Sequence, residues 1–103
     1  MAKTFDYTNG FSGSAAKVTT AVDITLGEAD RKPVLCVTAS AASKSVILGL
    51  GDGETMILIN NGGTNAFTAK NLSGDSGTSI GTGKVALIIG STTANGTLAY
   101  VLN

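Results

Sequence analysis

Short apolar runs recur along this chain, each closed off within a few residues by glycine, serine, threonine or asparagine: Val34-Leu35-Cys36-Val37, Val46-Ile47-Leu48, Met56-Ile57-Leu58-Ile59, Val85-Ala86-Leu87-Ile88-Ile89 and Leu98-Ala99-Tyr100-Val101-Leu102. Runs of this length suit strands, and their β-branched content points the same way. Ahead of them, Lys17 to Leu26 alternates. Val18, Thr20, Val22, Ile24 and Leu26 fall on one side, and Lys17, Thr19, Ala21, Asp23 and Thr25 on the other. That is the period of a strand with one buried and one wet face. No run with a helical period competes. Gly51-Asp52-Gly53 supplies the positive-φ tolerance of a tight hairpin turn, and Asn61-Gly62-Gly63 is a second strong turn signal. With a short strand near Phe5 and another near Ile80, the pattern predicts an all-β chain. The expected form is an antiparallel β-sandwich, jelly-roll-like, of about seven to nine short strands.

A chain of 103 residues has room for one domain. Composition divides it into an N-terminal arm, 1–16, and a single β-sandwich domain, 17–103. Phe5, Tyr7 and Phe11 are three of the five aromatics, set among Thr, Asn, Gly, Ser and Ala. Two readings stand side by side: the rings cap the sandwich core, or they anchor the arm to a partner, which makes Phe5, Tyr7 and Phe11 the candidate partner-binding residues. Val46–Leu50 and Met56–Ile59 are almost continuously apolar. Such strands are expected to be covered on both faces, by the opposing sheet and by a neighbouring subunit.

Seven basic and seven acidic residues give a net charge of zero. The long-range field that draws nucleic acid or an anionic membrane is therefore missing, while a neutral chain favours association. The charged cluster Glu28-Ala29-Asp30-Arg31-Lys32 reads as a solvated loop. "MAKTFDYTNG" has no apolar core of a signal peptide, and no stretch has membrane-span length, so synthesis in a cytoplasm without export is expected. The single cysteine, Cys36, sits in an apolar run and reads as a buried, inert thiol.

The stretch "SGDSGTSIGTGKVALIIGS" imitates a phosphate-binding loop and fails as one. The pattern needs glycine where Thr78 stands and Ser or Thr where Val85 stands, and it should lead into a helix rather than a β-branched run. With no histidine, the commonest general base and metal ligand is lacking. Asp52, Glu54 and Asp75 are the remaining acids in glycine-rich loops. They lack EF-hand spacing and read better as turn stabilisers than as a catalytic pair or a calcium site. No enzyme, cofactor or metal is expected.

The segments "ETMILINNGGTNAFTAKN" and "IGTGKVALIIGSTTANGTLAYVL" have a cadence of their own: an Ile59-Asn60-Asn61-Gly62-Gly63 strand end, a Gly83-Lys84-Val85-Ala86-Leu87 strand, and a terminal Asn95-Gly96-Thr97 hairpin. This half of the chain resembles the β-sandwich modules of tailed-phage virions, found in small capsid decoration proteins and in head or tail fibres. It departs from many of them in having Leu98 and Tyr100 where they place a tryptophan. The resemblance implies a structural virion protein, a capsid decoration or cement protein that binds and stabilises the head shell. Its partners would be the major capsid protein or another virion subunit, and its own copies in a homo-oligomer, often a trimer. Its place would be the capsid surface. The alternative is a fibre or tail module that recognises a host-surface glycan or protein.

Overall fold

The computed structural model describes residues 15–102, which form nine strands in two sheets. In chain order they are β1 (Ala15–Thr20), β2 (Ile24–Thr25), β3 (Val34–Ala39), β4 (Lys44–Ile47), β5 (Thr55–Asn60), β6 (Phe67–Lys70), β7 (Thr78–Ile80), β8 (Val85–Ile89) and β9 (Leu98–Leu102). One sheet has the order β1-β3-β5-β8-β9 and the other β2-β4-β6-β7. The all-β expectation and the strand count hold among the described residues.

Strand direction is where the expectation is corrected. Pairs β1–β3, β3–β5, β2–β4 and β4–β6 are parallel, and only β6–β7, β5–β8 and β8–β9 are antiparallel. From β1 to β6 the chain alternates between the sheets. It winds as a three-turn coil in which every strand lies parallel to its counterpart one turn earlier: Ala15 beside Val34, Val34 beside Ile57, Lys44 beside Phe67. β7 then closes the four-stranded sheet by a hairpin with β6, and after one more crossing β8 pairs antiparallel with β5 and β9 follows it by a hairpin. Antiparallel jelly-roll pairing does not describe the wound part. The physical reason lies in the turns. Gly51-Asp52-Gly53 does make a tight turn, with Glu54 N–H donating to Gly51 O and Gly53 at φ 77°, but it carries the chain from one sheet to the other instead of folding a strand back on its neighbour.

The strand expected over Lys17–Leu26 is likewise broken in two by such a corner. Thr20 Oγ1 accepts the Val22 N–H and donates to Val22 O, bending the chain between the sheets. Thr20 and Leu26 are buried, but Val22 on the bend is 61% exposed. The charged loop contains a single 3-10 turn, Glu28–Asp30, and Arg31 folds back from it to donate to Leu26 O at 3.1 Å.

The core lies between the sheets. Leu35, Val37, Met56, Leu58 and Ile88 come from one sheet and Val46, Phe67, Ala69 and Ile80 from the other, joined by Leu26, Leu48 and Leu50 in a single cluster. Fully burying each large member contributes about 1.5–3 kcal/mol. Buried polar residues stand where the chain leaves a sheet. Asn60 ends β5, donates to Asn65 O and Ile80 O, and accepts the Gly62 N–H. Asn71 follows β6, accepts the Leu50 N–H, and donates to Leu50 O and Ser91 O. These side chains supply the backbone partners that a corner takes away from the ladder.

Candidate docking surface

Alternation along each strand sends one set of residues into the core and the other to the outside of the sheet. On β3, β5, β8 and β9 of the five-stranded sheet the outside set is largely apolar, while β1 at the far edge brings Lys17 into register beside Cys36 and Thr19 beside Thr38. Cross-strand register aligns Val34, Ile57, Leu87 and Tyr100 in one row, and Cys36, Ile59, Val85 and Leu102 in the next. A third row holds Thr55, Ile89 and Leu98. No charged residue occupies any of these positions. The β3, β5 and β8 members of the two full rows are half-buried, shaded by one another, while Leu98, Tyr100 and Leu102 on the outermost strand are 50–56% exposed. Strand spacing and residue rise give a flat footprint of roughly 350 Å². Contiguous apolar patches of that size on a monomer are often functional.

The four-stranded sheet is the opposite. Its outward positions are Thr25 and Ile47 beside Lys70, then Ser45, Thr68 and Ser79 in register. One broad face is wet and the other is not. This bears on the expectation that Met56–Ile59 needs cover on both faces: Ile57 and Ile59 point away from the core into the apolar rows. Cys36 is corrected from a core thiol to a half-buried one on this face, because β3 pairs in the register that turns Leu35 and Val37 inward. On β9 the larger residues Leu98, Tyr100 and Leu102 face outward and the small Ala99 packs against the core.

The loop carboxylates act as locks. Asp52 Oδ1 accepts the Thr92 N–H at 2.7 Å and the Thr92 hydroxyl at 3.0 Å. Glu54 accepts the Gly51 N–H. Asp75, buried, accepts the Asn95 N–H at 2.8 Å and the Leu72 N–H at 3.0 Å, and Asn95 in turn accepts the Ser76 N–H. Backbone N–H bonds, from Thr92 in one case and Asn95 and Leu72 in the other, hold both the Asp52 and Asp75 carboxyls below the ordinary carboxylate range. Together they tie the 51–54, 72–76 and 91–97 loops at one end of the molecule. Among the described residues no group of three or more His, Cys, Asp or Glu is placed to hold a metal ion.

A cavity of about 120 Å³ opens between the sheets near the β9 edge, lined by Leu48, Asn71, Asp75, Ile88, Thr97 and Ala99. It is smaller than the roughly 300–1,000 Å³ of small-molecule sites. A shallow groove of about 440 Å³ runs over Ser43, Thr64, Asn65, Thr68 and Ser79 at the other sheet. Val85–Ile89, read as a strand in rejecting the phosphate loop, is β8. The candidate partner-binding residues Phe5, Tyr7 and Phe11, and the strand expected near Phe5, lie outside the described residues.

What the sequence reading missed is the outer face itself. Its signal was present in the uncharged β8 and β9 runs, but only the pairing register shows that their outward residues join those of β3 and β5. Comparison with protein-family models, curated proteins and solved structures finds no match to this chain.

Proposed function

We propose that the chain is a structural protein of a virion, a capsid decoration protein that seats the apolar face of its five-stranded sheet on a shell subunit. The major capsid protein of a tailed phage is the partner that the sequence resemblance implies. The observation that carries the reading is the uncharged outer face of β3, β5, β8 and β9, set against a wet face on the other sheet. A strand-built face is broad and held rigid by its cross-strand ladder, which suits a protein partner more than a small molecule. Seating this face buries about 700 Å² counting both partners, well under the roughly 1,200–2,000 Å² of stable specific interfaces. Association itself costs an estimated 4–15 kcal/mol. One face on one subunit therefore binds weakly, and firm attachment calls for a homo-oligomer that engages several shell sites at once.

The test is a charge at the centre of the face. Ile59→Lys, between Cys36 and Val85, should leave strand content and melting temperature near wild type while co-sedimentation with phage heads is lost. Thr68→Lys on the opposite sheet should leave sedimentation intact. The second reading, a fibre or tail module for a host-surface glycan, is favoured by the hydroxyl- and amide-lined groove over Ser43, Thr64, Asn65, Thr68 and Ser79. It predicts the reverse: Thr68→Lys abolishes binding to host cells and Ile59→Lys does not.

A further inference from the structure

Strand β9 ends the five-stranded sheet, and among the described residues β8 is its only strand partner. An edge strand normally carries a charged residue or proline that discourages further pairing. β1, the opposite edge, has Lys17 in mid-strand. β9 has no such guard, since all of Leu98-Ala99-Tyr100-Val101-Leu102 is apolar or aromatic. The strand is also nearly the same read in either direction: leucine at both ends, a small aliphatic residue next, tyrosine in the centre.

We propose that two copies of the chain pair through β9, antiparallel about a twofold axis at Tyr100, so that two five-stranded sheets join into one of ten strands. In that register Leu98 meets the partner's Leu102, Ala99 meets the partner's Val101, and Tyr100 meets the partner's Tyr100. Every pair is apolar or aromatic, and outward residues match outward residues. A shift by one or two positions leaves a leucine without a partner strand residue. The pairing also accounts for Val101, which points to the core side of the sheet yet is 42% exposed. The small side chain of the partner's Ala99 leaves room for it. Such an interface is isologous, with the same strand serving both copies. A second copy is the occupant because this self-matching order is a property of the strand paired with itself, and because an uncharged strand offers no charge pattern that would select a different protein. The inference uses the edge of the sheet, and it stands independently of what covers the broad face.

The full-length chain should sediment as a dimer, twice the 10.2 kDa of one copy. Tyr100→Lys sets like charges against each other at the twofold axis and should raise the dimer dissociation constant by at least about a hundredfold, with strand content unchanged. Position 100 also reports the register directly. Directly opposed residues of an antiparallel pair have Cα atoms about 4.5–5.5 Å apart, within disulfide reach. In a Cys36→Ser background, Tyr100→Cys should therefore cross-link two copies on mild oxidation, and Thr19→Cys on β1 should not. Ile59→Lys should remain a dimer even when shell binding is lost. A chain that is monomeric at every concentration overturns the proposal, as does a trimer that survives Tyr100→Lys, or a Tyr100→Cys chain that cross-links no better than Thr19→Cys.

Discussion

Asn71 shows how much one side chain holds in a chain this size. It bonds the Leu50 N–H and C=O across one corner, away from solvent, and the Ser91 C=O across another, partly shielded. Asn71→Ala would strand these groups, at about 1–3 kcal/mol for each that water cannot reach. A loss of about 2–4 kcal/mol is expected in urea unfolding, against little change for the exposed Asn61→Ala. Asp75 gives the pH dependence. Its folded-state pKa is lowered by the Asn95 and Leu72 N–H groups, so its contribution is present above the ordinary carboxylate range and is lost as pH falls through it. Melting temperature should therefore drop below about pH 4, with Asp52 adding in the same direction. Asp75→Asn should be less stable at neutral pH and show a shallower acid fall. The sequence marked Asp75 as a turn acid, which it is. It gave no sign that Asn60 and Asn71 are buried, because asparagine reads as a surface turn former until a second turn of chain closes over it.

Among the elements, the tight turns separate two kinds of glycine. Gly53 and Gly77 both have positive φ, 77° and 78°. A Cβ on Gly53 would meet nothing within 4 Å, whereas one on Gly77 would lie 2.6 Å from Thr68 Cγ2 and 2.7 Å from the Ala69 carbonyl oxygen. Gly53→Ala should cost about 1–2 kcal/mol for its backbone conformation alone. Gly77→Ala should cost at least twice as much by chemical denaturation, because the loop must also move off β6. Strand positions were legible at this scale: β3, β5, β8 and β9 fall on the apolar runs, and the β8–β9 hairpin is where the Gly90–Gly96 loop suggested. Direction was not. A glycine-rich turn looks the same whether it folds a strand back on its neighbour or passes it to the other sheet, and period-2 alternation carries no sign of which way the paired strand runs. Val22 illustrates the limit, since it keeps the alternation of Val18 to Leu26 while sitting on the outside of a bend.

For the whole molecule, all-β character and the single core could be read from the sequence, but the apolar broad face could not. Two of its rows draw on β3, β5, β8 and β9 and the third on β5, β8 and β9, strands far apart in the chain, so the face exists only once the register is known. The wound half of the fold, β1 to β6, has a further consequence. Because each circuit lies on the one before it, the molecule can in principle change length in whole circuits without altering any existing pairing, as stacked repeats do. A duplicate of residues 34–56 placed before Val34 would add one rung to each sheet and shift nothing else out of phase. Such a chain should fold cooperatively and be longer along the stacking axis by about one strand spacing, 4.8 Å, as small-angle scattering would show. A duplicate of 34–43 alone, which adds a strand to one sheet and none to the other, should fail to fold. The antiparallel strands β7, β8 and β9 would then act as the stop that ends the growth of the stack, and the evolutionary unit of variation would be the circuit rather than the strand.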